Sequence, residues 1–105
     1  MTRGFGLVVR FTLRDAEAAE AFDALVTKVL EGIRAQEPGT LAHVVHAVAG
    51  EPHARLFYEL YADRAAFDHH EQQEHTRHFL KEREKYVSDV HVTFLRSQDA
   101  AGAWT

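Results

Sequence analysis

The stretch LFYELYADRAAFDHHEQQEHTRHF, residues 56 to 79, constrains the fold more than any other part of this chain. Its first six residues are aromatic or aliphatic except for Glu59, which suits a buried strand carrying one acid. Ala62 and Asp63 then supply a turn and a helix N-cap, after which Ala66, Phe67 and His70 recur at three-to-four spacing. Side chains alternate along a strand, so Phe57, Glu59 and Tyr61 share one face. A strand that delivers Glu59 and Tyr61 to the same rim as His70 forms one wall of a small-molecule pocket.

The rest of the chain supplies partners for this unit. FGLVVRFTL, residues 5 to 13, places Phe5, Leu7, Val9, Phe11 and Leu13 on one face, the period of a strand. Asp15 caps a helix of five to six turns whose apolar stripe is Ala19, Phe22, Val26, Val29, Leu30 and Ile33, broken at Glu37-Pro38-Gly39. Leu41 to Ala49 reads as a second strand, joined through Gly50-Glu51-Pro52-His53 to the strand at 56 to 62. The second helical region breaks near Gln72-Gln73 and resumes to about Tyr86, and Val90, Val92 and Phe94 mark a last strand.

The resulting order is β-α-β-β-α-β, an α+β fold with the ferredoxin-like split arrangement and both helical segments on one face of an antiparallel sheet. One domain over residues 1–97 and a tail over 98–105 are expected, with Trp104 in the tail as a group that docks on a partner or stays free. The strands keep apolar residues on both faces, so the face away from the helices needs a cover; a second copy packed sheet to sheet is the simplest, and a homodimer is expected.

Charge and composition remove several functions. A net charge of −4 leaves no phosphate-neutralising patch, so no nucleic-acid partner is expected. There is no cysteine, hence no thiolate metal site, iron–sulfur cluster or cysteine nucleophile. No apolar run approaches a membrane span and MTRGFG lacks the apolar core of a signal peptide, so no membrane contact and a cytoplasmic location are expected. Neither a glycine-rich phosphate loop, nor a dinucleotide fingerprint, nor a nucleophile elbow occurs, and no cofactor is expected.

Histidine carries the remaining chemistry. His70, Glu74 and His78 stand at i, i+4 and i+8 and would share a face of an unbroken helix; the break at Gln72-Gln73 spoils that alignment, no established zinc spacing is present, and no metal is expected. An imidazole, whose ordinary pKa is near ~6.5, suits removal of a proton from a phenol or an activated carbon, and His70 is the candidate; the alternative is a histidine that packs the helix on the sheet. Glu59 must be paired or solvated, which permits orientation of a histidine, recognition of a hydroxyl or, most simply, an ion pair with Arg10, Arg55 or Arg64. His43 and His46 face opposite ways on the second strand, so one looks into the pocket, and His43 is the candidate. Phe57, Phe67 and Phe11 are candidate aromatic walls, alongside Phe5, Phe22 and Tyr58, although phenylalanine at such spacing also builds cores. His91 is read as structural.

These residues also carry a resemblance. Glu37-Pro38-Gly39-Thr40 followed by F-x-E-x-Y-x-D-x-x-A-F-x-x-H-x-x-x-x-H-x-x-x-F, matched at Phe57, Glu59, Tyr61, Asp63, Ala66, Phe67, His70, His75 and Phe79, resembles the antibiotic biosynthesis monooxygenase family. The resemblance implies a dimeric α+β barrel and a cofactor-independent monooxygenase in which an aromatic phenol, quinol or polyketide anthrone supplies its own electrons to O2. In that reading His70 is the base, Glu59 orients it, and Tyr61, where relatives often carry Trp, stacks on the ring or donates a hydrogen bond. His43, Phe57, Phe67 and Phe11 then bind substrate. The family's haem-degrading branch is disfavoured, since the first strand has no Asn, His70 replaces the branch's Trp and Leu80 stands about where the axial ligand belongs, with His75 or His78 nearby as the substitute ligands that would keep it open. A non-catalytic small-molecule-binding dimer and a cofactor-free isomerase or cyclase are the alternatives.

Overall fold

A computed structural model describes residues 4–102. The chain runs β1 (Phe5–Leu13), α1 (Ala16–Gln36), β2 (Thr40–Val48), β3 (Glu51–Tyr61), α2 (Arg64–Gln72), α3 (Glu74–Glu82), a 3₁₀ turn (Arg83–Lys85) and β4 (Val87–Arg96). The four strands form one antiparallel sheet in the order β2-β3-β1-β4. This is the ferredoxin-like α+β arrangement, with the second helix divided in two. Among the described residues no helix is long and apolar enough to cross a membrane. Trp104 lies outside the described residues.

Helix starts follow the sequence closely. The Asp15 carboxylate accepts from the Ala18 N–H at 2.7 Å and the Asp63 carboxylate from the Ala66 N–H at 2.8 Å, each satisfying a donor that the first helical turn leaves free. The division between α2 and α3 falls at Gln73, whose backbone is extended (φ −67°, ψ 144°). The break turns His70 and Thr76 into the molecule and leaves Glu74 and His78 exposed, so the i, i+4, i+8 face does not form.

The connection between β2 and β3 is tighter than the Gly50 to His53 turn read from the sequence. Gly50 takes the left-handed conformation (φ 78°), open to glycine without steric cost, and lets β3 begin at Glu51. Pro52 is accommodated because the β2–β3 ladder passes from Ala47↔Arg55 to Val48↔Glu51, an irregularity that asks no N–H of it.

The core lies between the sheet and the helices. Phe11, Phe22, Phe57 and Phe79 are all buried, and Phe11 contacts the other three rings at centroid distances of 5.0, 4.7 and 6.3 Å. What positions the site is the sheet register. His43 on β2 pairs with Glu59 on β3, Glu59 with Leu7 on β1, and Leu7 with Phe94 on β4, one row of side chains facing the helices. On the opposite face Val44 and Leu95 remain 44% and 39% exposed.

Candidate functional site

At the β2–β3 end of that row, α2 lowers His70 onto His43 and Glu59. The His43 Nε2 is 3.6 Å and the His70 Nε2 4.0 Å from the same Glu59 oxygen, Oε1. Tyr61, two residues along β3 on the same face, donates its hydroxyl to that oxygen at 2.6 Å. All four side chains are buried or nearly so.

The other nitrogen of His70 is held from a different part of the chain. Glu37 caps the end of α1, and its Oε1 is 2.7 Å from the His70 Nδ1 and accepts from the Thr40 hydroxyl at 2.7 Å, while its Oε2 meets the Nε2 of His75 on α3 in a short hydrogen bond. Burial alone would raise the Glu37 carboxyl, but hydrogen bonds from His70, His75 and Thr40 hold it at about 2. An ionised carboxylate only accepts, so the His70 Nδ1 carries the donated hydrogen. In the neutral ring the lone pair is then on Nε2, facing Glu59 and the cavity. A carboxylate fixing the tautomer of a histidine is the arrangement by which a general base is oriented.

The sequence reading is corrected here on three points. Glu59 does not form an arginine ion pair: Arg10 pairs with Glu51 at 2.6 Å, Arg55 with Asp23 at 2.9 Å, and Arg64 with Asp68 at 3.1 Å on its own helix. Arg10 lies on the face away from Glu59, and the other two reach acids nearer to them. The hydrogen bond orienting His70 comes from Glu37 rather than Glu59. Tyr61 is fully buried beneath Phe67 and His70, at centroid distances of 5.3 and 5.2 Å, and is absent from the cavity wall, so it cannot stack on a substrate ring.

The cavity itself has a volume of about 160 Å³. His43, Glu59 and His70 form its polar end, and Phe11, Phe57 and Phe67 are among its walls. Residues that the sequence reading passed over complete it. Phe94 is 61% exposed, packs on Phe67 at 6.1 Å and forms an aromatic lip, and Arg83 from the 3₁₀ turn adds a cationic side chain.

Burial sets the protonation of the polar end. It pushes His43 down to about 4, with repulsion from His70 adding to the effect, so His43 is a neutral imidazole at pH 7. Burial pushes Glu59 up, opposed by the Tyr61 hydroxyl and by His70. Burial, then the neighbouring Glu59, pushes Tyr61 up, and it stays a phenol that donates. The only grouping of three metal-ligating side chains found among the described residues is His43, Glu59 and His70, whose ligand atoms all lie within 4.8 Å of one another.

Glu37, Thr40 and His75 are the functional candidates that the sequence reading missed. All three stand in the motif that carries the family resemblance, where Glu37 was read as a helix stop and none of them was given a role at the site.

Comparisons with known proteins bear on the family and the fold. A family profile described as antibiotic biosynthesis monooxygenase matches residues 4–82. A solved structure described as an antibiotic biosynthesis monooxygenase is 25% identical with a TM-score of 0.79, over 93% of this chain and 99% of that one. Rv0793 of Mycobacterium tuberculosis is 24% identical with a TM-score of 0.85, over 94% and 99%. PA3566 of Pseudomonas aeruginosa is 23% identical with a TM-score of 0.83, over 94% and 98%. No curated protein matches the chain.

Proposed function

The chain belongs to the antibiotic biosynthesis monooxygenase family, and from that membership we propose that it is a cofactor-independent monooxygenase of an aromatic phenol, quinol or anthrone. The observation that carries the reading is the Glu37–His70 dyad, which turns the His70 Nε2 into a cavity walled by phenylalanine.

The chemistry follows from those groups. The substrate lies with its ring against Phe57 and Phe67 and presents an acidic O–H or C–H to the His70 Nε2. Proton removal leaves an imidazolium that the Glu37 carboxylate stabilises and an electron-rich carbanion or phenolate in a cavity walled by Phe11, Phe57 and Phe67. That anion is the reductant. For an anthrone methylene, O2 inserts one oxygen as the new carbonyl, and the second leaves as water with the two methylene hydrogens, so no outside electron donor is required. His43, neutral and buried, faces the same space as a hydrogen-bonding group for a substrate oxygen.

The working unit in this proposal is a homodimer. The apolar, solvent-facing Val44 and Leu95 on the face of the sheet away from the helices support it.

The test is oxygen uptake by chelator-treated protein offered anthrones and naphthalene or benzene diols, with and without air and beside a His70→Ala variant. Uptake lost in the variant supports the proposal. Turnover that proceeds equally without air would make the protein an isomerase. Tyrosine or tryptophan quenching that saturates without product would make it a binding domain.

A further inference from the structure

We propose that His43, Glu59 and His70 form a binding site for one divalent transition-metal ion of the zinc class. Zinc bonds nitrogen and carboxylate oxygen at roughly 2.0–2.2 Å, so neighbouring ligands around a tetrahedral ion stand roughly 3.3–3.6 Å apart. Here the His43–Glu59 and His70–Glu59 separations are 3.6 and 4.0 Å, and all three atoms lie within 4.8 Å. Small side-chain movements close that gap. Two imidazoles with one carboxylate select a borderline ion over calcium or magnesium, which take oxygen ligands.

The surroundings are those of a ligand set. Glu37 takes the hydrogen of the His70 Nδ1, which leaves Nε2 free to bind, and Tyr61 fixes the Glu59 carboxylate through its hydroxyl. His43, with a side chain 6% exposed, has no hydrogen-bond partner at Nδ1 and points Nε2 toward Glu59 from the cavity wall. Charge argues the same way. Glu37 and Glu59 are both buried, and among the described residues no lysine or arginine forms an ion pair with either. A dication between Glu59 and the two imidazoles compensates both carboxylates. The fourth coordination position faces the aromatic cavity.

This site is independent of the monooxygenase reading and bears on it in one way. An ion on the His70 Nε2 occupies the lone pair that proton removal requires, so bound zinc and turnover exclude each other.

Binding of Zn²⁺ to chelator-treated full-length chain, by calorimetry and by competition with a chromophoric chelator, tests the site without substrate. One ion per chain is expected, weakened at least about tenfold in His43→Gln and in Glu59→Gln and unchanged in His69→Gln and His78→Gln, both exposed helix histidines. Histidine ¹⁵N spectra of the unmutated protein keep the test open should a variant misfold: Zn²⁺ should shift Nε2 of His43 and His70 together. Failure to bind at micromolar zinc, affinity lost in His69→Gln or His78→Gln instead, or ring shifts confined to those surface histidines would overturn the proposal.

Discussion

Replacing Glu37 by glutamine keeps the shape of the side chain and removes its charge, which isolates what the carboxylate contributes. The carboxyl is held at about 2, where an ordinary glutamate titrates near 4.5. At 1.36 kcal/mol per pH unit, a gap of roughly 2.5 corresponds to about 3 kcal/mol favouring the ionised form in the folded protein. The amide oxygen of glutamine can still accept from His70 and Thr40, so Glu37→Gln should be folded but less stable by about 3 kcal/mol at pH 7. That is a large part of the 5–15 kcal/mol typical of a domain, and roughly 10–25 °C in Tm at this chain length. The pH dependence is fixed by the same values. The folded-state value lies below the unfolded one, so the stabilisation is complete above about pH 4.5 and fades as the pH falls toward 2. Urea unfolding followed by circular dichroism, with chelator present and both proteins at one concentration, reads the difference. A gap under about 1 kcal/mol at pH 7, or one that persists undiminished at pH 2.5, would refute the account of Glu37 as a buried carboxylate held ionised by three donors.

Two further substitutions probe the same architecture. Gly32→Ala in the interior of α1 would ordinarily stabilise the helix by about 1 kcal/mol, but the added Cβ collides with the imidazole of His75, so the ring must shift away from Glu37. Loss of that charge-assisted bond, worth roughly 1.5–3 kcal/mol, should make the variant less stable by about 1 kcal/mol in urea; a stabilised variant would mean that the His75 bond contributes nothing. Glutamate at Val44 and Leu95 together places charge on the proposed sheet-to-sheet interface. Sedimentation should then find a dimer for the unmutated chain and a folded monomer for the variant, and an unmutated chain that sediments as a monomer at about 100 μM would remove the interface.

What the sequence made legible is what local pattern determines. Alternation over Phe5 to Leu13 fixes which residues of β1 face the helices, Asp15 and Asp63 announce two helix starts, and period two puts Phe57, Glu59 and Tyr61 on one face; each depends on neighbours a few positions away. The histidine-rich region showed where its helix would break, since Gln72-Gln73 interrupts the apolar repeat. The chemistry of the site depends on longer reach. Glu37 and His70 are 33 positions apart, and nothing in either local pattern says that the end of α1 and the last turn of α2 meet. The arginine pairing failed for the same reason: Arg10, Arg55 and Arg64 were chemically apt for Glu59, but side-chain direction and nearer acids decided otherwise. Tyr61 was placed on the correct face and given the wrong depth, because α2 lays Phe67 and His70 over it and leaves only Glu59 of that pair on the cavity wall. A buried acid whose three expected arginine partners, Arg10, Arg55 and Arg64, pair with other acids must find its compensation in what surrounds it. Here the Tyr61 hydroxyl gives its one hydrogen bond, at 2.6 Å, and the His43 and His70 Nε2 atoms stand 3.6 and 4.0 Å from the same oxygen, the geometry from which both the proposed proton removal and the proposed dication site start.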